Sequence, residues 1–195
     1  MTIARFRKYF VNMLSILSTP FLRLSPNTIT ILSLPASIMY LYFMLQHRYV
    51  LAIGFLALSA LMDAIDGVVA RARNLVSRRG AFLDSTIDRV NDFLYLVGLY
   101  PLLTTGMDYV LLLLALVFTY LISYVRARAE SLGLKLEGVG FFERAERVLA
   151  LMLILTLFSI LRDRLTIVLG LVVYVLCALV TALHRVIWVF TRLKD

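Results

Sequence analysis

Six long apolar stretches follow one another along this chain with only short polar breaks, and that succession leaves little choice of fold. They run approximately over 27–46, 50–72, 81–104, 108–130, 142–161 and 165–188, each long enough for a hydrocarbon core of about 30 Å. A backbone crossing lipid must satisfy its own hydrogen bonds, so the reading is an all-α integral membrane protein with six transmembrane helices. The breaks are too short to separate domains, and residues 1–195 read as one membrane domain with the helix bundle over 27–188. Hydrophobic residues make up 62% of the chain and charged residues only 16%, which excludes an ordinary soluble domain. Ahead of the first span, residues 3–19 mix Arg5, Arg7 and Lys8 with Phe6, Phe10 and Leu14, the pattern of an interfacial amphipathic helix. That start has no small-residue cleavage site and does not read as a removed signal peptide. Ser25 supplies a cap for the first span, with Pro26 in its first turn.

The net charge of +8 does not point to nucleic acid, because of where the charge sits. Sixteen Lys and Arg residues fall on one side of the spans, among them Arg71, Arg73, Arg78, Arg79, Arg126 and Arg144. Only Arg48, Arg162 and Arg164 fall on the other. This bias predicts that both termini face the cytoplasm, with the basic side against anionic headgroups of the membrane lipids; the expected location is the cell membrane of a prokaryote. Cys177 is alone, so no intramolecular disulfide exists.

Within this apolar frame, four aspartates crowd between residues 63 and 88. Asp63 and Asp66 are three apart and Asp84 and Asp88 four apart, so each pair projects from one helix face toward the cytoplasmic end. Carboxylates are costly at that depth without a partner. Their hard oxygens suit Mg²⁺ or Mn²⁺ rather than zinc, and four are enough for two ions that clamp a phosphate or diphosphate. Gly67 and Gly80 allow close approach of a ligand or the facing helix, Ala70 is similarly small, and Arg71 can pair with a phosphate or an aspartate. A cation or proton-coupled transporter would need polar groups continuing outward, and the stretch from Leu51 to Met62 supplies few.

The pattern Asp63-x2-Asp66-Gly67-x2-Ala70-Arg71-x8-Gly80-x3-Asp84-x3-Asp88 resembles the signature of the CDP-alcohol phosphotransferases, integral membrane enzymes of phospholipid synthesis, with every fixed position filled. The resemblance implies transfer of the phosphatidyl or related group of a CDP-linked lipid to an alcohol, with release of CMP. It implies that Asp63, Asp66, Asp84 and Asp88 bind the metals. Asp88 would also act as general base, and Asp63, Asp66, Gly67, Ala70, Arg71 and Gly80 would cradle the CDP moiety. It further implies a homodimer joined through the third and fourth helices.

Basic and acidic residues recur on the same face in the second half: Arg126, Arg128 and Glu130, then Glu143, Arg144, Glu146 and Arg147, then Arg185. Guanidinium forks match phosphate oxygens, so the set suits a small phosphorylated alcohol, although Arg126–Glu130 pairing along the helix is also available. The segments Ser123–Glu130 and Gly138–Arg147 are similar to the branch of the family that uses inositol 1-phosphate, including its archaeal ether-lipid members. That likeness implies that Arg126, Arg147 and Arg185 hold the acceptor phosphate. Arg126 stands where lysine is often found in that branch; glycerol 3-phosphate and serine stay open as acceptors.

Overall fold

A computed structural model describes residues 19–136 and 138–193. Among these residues there are six α-helices: α1 (Pro26–Leu45), α2 (Tyr49–Ala72), α3 (Arg78–Val97), α4 (Gly106–Ser131), α5 (Arg144–Leu161) and α6 (Arg164–Phe190). Short 3₁₀ turns occupy Thr19–Arg23 and Tyr100–Leu102, and no strand occurs among the described residues. The interfacial helix read over 3–19 lies outside the described residues except for Thr19.

Four of the helices, α1, α2, α4 and α6, are long and apolar enough to cross a membrane. The other two are interrupted by charge: α3 holds Arg78, Arg79, Asp84, Asp88, Arg89 and Asp92, and α5 opens with Arg144, Glu146 and Arg147. Side chains such as Ile38, Leu113, Leu153, Leu169 and Phe190 cover the outside, an apolar exterior suited to lipid contact.

The third stretch needs correction. Instead of running over 81–104, its helix starts at Arg78 and stops at Val97. The start moves upstream because the Ser77 hydroxyl accepts the Gly80 amide at 3.0 Å and caps the helix there. Beyond Gly98 the chain tightens into the 3₁₀ turn around Pro101, yet Leu99, Leu102 and Leu103 remain buried. Core packing after the helix end therefore prolonged the apolar run. The fifth helix begins at Arg144 rather than at Phe142, whose ring packs edge-on against Tyr174 at 5.1 Å in the preceding loop. The remaining boundaries move by no more than two residues, and Ser25 caps α1 by accepting the Thr28 amide at 3.1 Å.

Helix α1 lies against both α2 and α3, whereas α2 and α3 scarcely touch each other. A polar seam joins the three. Asn91 donates to Ser33 Oγ at 2.9 Å and accepts from Ser37 at 2.7 Å, Tyr95 donates to Ser59 at 2.7 Å, and Ser59 donates to the Ser33 carbonyl at 2.8 Å. Each such bond in a membrane bundle contributes about 0.6 kcal/mol on average, and together they fix the rotation of α3. Helix α6 packs on α4 and α5, and α5 on α2, which closes the bundle. At the end opposite the acids, Thr105 and Asp108 form a capping box, and Arg164 clasps both Asp108 oxygens at 2.8 and 2.9 Å. This clamp ties the starts of α4 and α6.

Gly98 marks the tightest approach between α1 and α3. A Cβ there would lie 2.4 Å from the Tyr40 ring, which is buried and pinned by its hydroxyl to the Tyr95 carbonyl at 2.8 Å. Gly98→Ala is expected to cost about 1–3 kcal/mol through overpacking. Gly54→Ala, at a helical glycine with open space around it, is expected to be neutral or to stabilise by up to about 1 kcal/mol. Thermal unfolding midpoints of the two variants in detergent check the contrast.

Candidate active site

Helices α2 and α3 diverge from a five-residue connection, 73–77, and α1 fills only part of the gap between them. The motif residues line what is left. A cavity of about 370 Å³ is walled by Asp66, Gly67, Ala70, Arg71, Gly80 and Asp84, with Asn27 and Thr30 closing it from α1. Its glycines have distinct work. A Cβ at Gly67 would meet the Arg71 guanidinium at 3.3 Å, and one at Gly80 would meet Asn27 Oδ1 at 3.1 Å. The first keeps space for the arginine fork one turn on, and the second lets the start of α1 approach α3.

Three of the four motif aspartates converge. Asp63, Asp84 and Asp88 each offer a carboxylate oxygen within 4.8 Å of the others. Asp66 stands apart from this trio: its Oδ2 accepts a 2.5 Å hydrogen bond from Thr30, which turns the carboxylate toward α1. The physical reason is the three-residue spacing, which places Asp66 nearer the α1 face of α2 than Asp63.

The trio fits a hard divalent cation. Its donors are all carboxylate oxygens, and Asp63 Oδ1 is buried without a hydrogen-bond partner. Counter-charge comes from Arg144 at the start of α5. Its Nη1 donates to Asp63 Oδ2 and lies 3.0 Å from Asp88 Oδ1, while its Nε donates to Asp92 Oδ1 at 3.3 Å.

A second cavity, of about 460 Å³, opens on the other side of the trio and shares Ala81 and Asp84 with the first. Asp88 lines it, together with Arg126, Arg144, Arg147 and Arg185. The three arginines singled out from the sequence therefore reach one space, in different states. Arg126 is exposed and pairs with Glu130 at 2.9 Å, the helical option already available in the sequence. Arg147 is 3% exposed and donates to Asp92 Oδ2 at 3.2 Å, with its Nε left unpartnered. Arg185 is spoken for at every nitrogen: Nε donates to the Val139 carbonyl at 2.8 Å, Nη1 to the Ile122 carbonyl at 3.0 Å, and Nη2 to Glu143 at 3.2 Å. It pins the loop before α5 to α4 and α6.

Two residues of this constellation were not singled out. Asp92 continues the four-residue rhythm of Asp84 and Asp88, which was the available signal, but it lies beyond the motif. Arg144 was read only as one of several charges opening α5, and nothing in the local pattern set it apart from Arg147.

Residues 23–191 match the profile of the CDP-alcohol phosphatidyltransferase family, and the chain belongs to that family. Among its relatives, the archaetidylinositol phosphate synthase of Aeropyrum pernix is 39% identical over 132 residues, covering 68% of this chain and 66% of that protein. The phosphatidylinositol phosphate synthase of Mycobacteroides abscessus is 35% identical over 150 residues, covering 73% and 68%. The alignments thus span about two thirds of these relatives' length. The crystal structure of the Mycobacterium tuberculosis phosphatidylinositol phosphate synthase with CDP-DAG bound superimposes with a TM-score of 0.79 at 28% identity, over 91% of this chain and 98% of that one. The same enzyme in complex with manganese and citrate gives 0.80, over 89% of each chain.

Binding of Mn²⁺, followed by loss of the free-ion electron paramagnetic resonance signal, is expected to weaken by about tenfold or more in Asp84→Asn, since one charged ligand oxygen pair is replaced by an amide. Mn²⁺ should also raise the thermal midpoint of the wild type, as any ligand of the folded state does.

Proposed function

We infer that the chain transfers the phosphatidyl or archaetidyl group of a CDP-linked lipid to the hydroxyl of inositol 1-phosphate and releases CMP. The observation that carries this reading is the pair of cavities meeting at Asp84, one walled by the nucleotide motif and one by arginines. The relatives named as inositol-phosphate-lipid synthases support the choice of acceptor. In this reading α3 and α5 also cross the bilayer, the site faces the cytoplasm, both termini lie on that side, and two copies pair through α3 and α4.

The residues divide the work by cavity. Gly67, Ala70 and Gly80 leave room for the cytidine diphosphate, with Arg71 beside its phosphates and Asp66 held by Thr30 at the same wall. Two divalent ions, Mg²⁺ or Mn²⁺, would be held by Asp63, Asp84 and Asp88 with Asp66 beside them, and would supply electrophilic stabilisation of the diphosphate. Arg126 and Arg147 orient the acceptor through its phosphate, and Arg185 shapes the loop beside them. Asp88 lines the acceptor cavity and takes the hydroxyl proton as the oxygen attacks the lipid-side phosphorus. A new P–O bond to the acceptor forms while the bond to the CMP oxygen breaks, and CMP carries the electron pair away. Glycerol 3-phosphate is the runner-up acceptor, because it too would need a basic pocket.

Asp88→Asn is expected to lower turnover by about a thousandfold or more while CDP binding and folding persist, consistent with loss of a base required only in the reaction. Arg147→Ala should raise the acceptor KM. CMP release from purified protein, given ester- and ether-linked CDP-lipids and inositol 1-phosphate, glycerol 3-phosphate, inositol or serine in turn, tests the reading. Release with serine or free inositol, and none with the phosphorylated alcohols, would overturn the assigned acceptor.

A further inference from the structure

We propose that Asp92 is the positioning residue of the acceptor pocket, holding the Arg144 and Arg147 forks side by side at the cavity wall for the acceptor's phosphate. The proposal rests on the acceptor reading given above. Asp92 is 4% exposed and sits one turn beyond Asp88 on α3, outside the aspartate–glycine motif. Its two oxygens are divided between two arginines of α5: Oδ1 accepts from Arg144 Nε at 3.3 Å and Oδ2 from Arg147 Nη2 at 3.2 Å. Arg89 on its own helix approaches Oδ2 at 3.7 Å. One carboxylate thus fixes two guanidinium planes.

What the two forks leave over identifies the ligand chemistry. Arg144 Nη2 and Arg147 Nε are buried and have no hydrogen-bond partner. A buried guanidinium N–H without an acceptor is costly, the more so because the group is charged. Both side chains line the cavity that also holds Asp88. Two arginines anchored by one carboxylate and lining the same cavity of about 460 Å³ as Asp88 suit a tetrahedral oxyanion on a small polar alcohol. Glu143 and Glu146 also line this cavity, and Glu143 is engaged by Arg185. Among the described residues Asp92 is the one acid that pairs with both α5 arginines, and it does not itself line the cavity. Without it Arg144 keeps only Asp63 and Asp88, Arg147 keeps the Phe142 carbonyl, and the two forks lose their common anchor.

The test is direct binding by calorimetry to the full-length protein in nanodiscs, with inositol 1-phosphate and glycerol 3-phosphate titrated separately and CDP as the reference ligand. Asp92→Asn keeps the side-chain volume and is expected to weaken binding of the phosphorylated alcohol by about tenfold or more, as misdirected charge-assisted bonds do, with CDP affinity within about twofold. A merely structural role would lower both affinities together. The second comparison is Arg147→Gln against Asp92→Asn/Arg147→Gln, which removes both members of a buried pair and is better tolerated than stranding one. Adding Asp92→Asn to Arg147→Gln is expected to cost less than about threefold further, because the two residues act as a unit. Acceptor affinity unchanged in Asp92→Asn, or a full independent loss in the double variant, would overturn the proposal. If the wild type binds glycerol 3-phosphate and not inositol 1-phosphate, the acceptor reading fails while the Asp92 comparison is read on glycerol 3-phosphate. If the wild type binds neither, the anion pocket and the role of Asp92 fall together.

Discussion

An ionised carboxylate inside an apolar bundle is stable only with a counter-charge beside it, and the arrangement of this chain follows from that requirement. Helix α3 brings three acids inward, Asp84, Asp88 and Asp92, and α2 adds Asp63. The compensating charge comes from a distant part of the sequence, Arg144 and Arg147 at the opening of α5. Docking α5 against α2 is therefore an electrostatic necessity as well as a packing arrangement. Arg185 completes the lock from α6 by holding the loop that leads into α5. The mutual position of α2, α3 and α5 thus matters most for the chemistry.

The rest of the bundle serves to hold that pairing still. Behind the acids, the seam of Ser33, Ser37, Ser59, Asn91 and Tyr95 prevents α3 from rotating, and rotation would carry Asp84 and Asp88 off the cleft. At the far end, the clasp of Arg164 on Asp108 joins α4 to α6. Apolar contacts fill the space between these two polar layers, with Tyr40, Tyr95 and Tyr174 the largest buried side chains. Lipid cannot drive helices together by the hydrophobic effect, so orientation in such a bundle depends on directional contacts of this kind.

Much of this was legible in the sequence, for identifiable reasons. The apolar runs set the helices, because lipid permits few alternatives, and apart from the third helix their limits agree within two residues. The third helix departed because Leu99, Leu102 and Leu103 pack in the core without being helical, and hydropathy cannot distinguish the two. Asp63, Asp84 and Asp88 were visible through their spacing. That Asp66 would turn to Thr30 was not, since the partner lies 36 residues away on another helix. The same holds for Arg144 among the acids: proximity in space between α3 and α5 leaves no trace in a single sequence. Asp92 was readable as a continuation of a four-residue rhythm, but rhythm alone does not reveal two arginines on its far side.

The two cavities share Ala81 and Asp84, so the partition between them is one helical turn of α3. A wall that thin has two faces belonging to different ligands. A bulkier side chain at Ala81 would encroach on both compartments at once, and a displaced Asp84 would disturb both as well. Nucleotide fit and alcohol fit cannot be tuned separately at these positions. Divergence of acceptor choice within this architecture is channelled instead to the outer wall of the second compartment, where Ser123, Arg126 and Glu130 on α4 can change without touching the first.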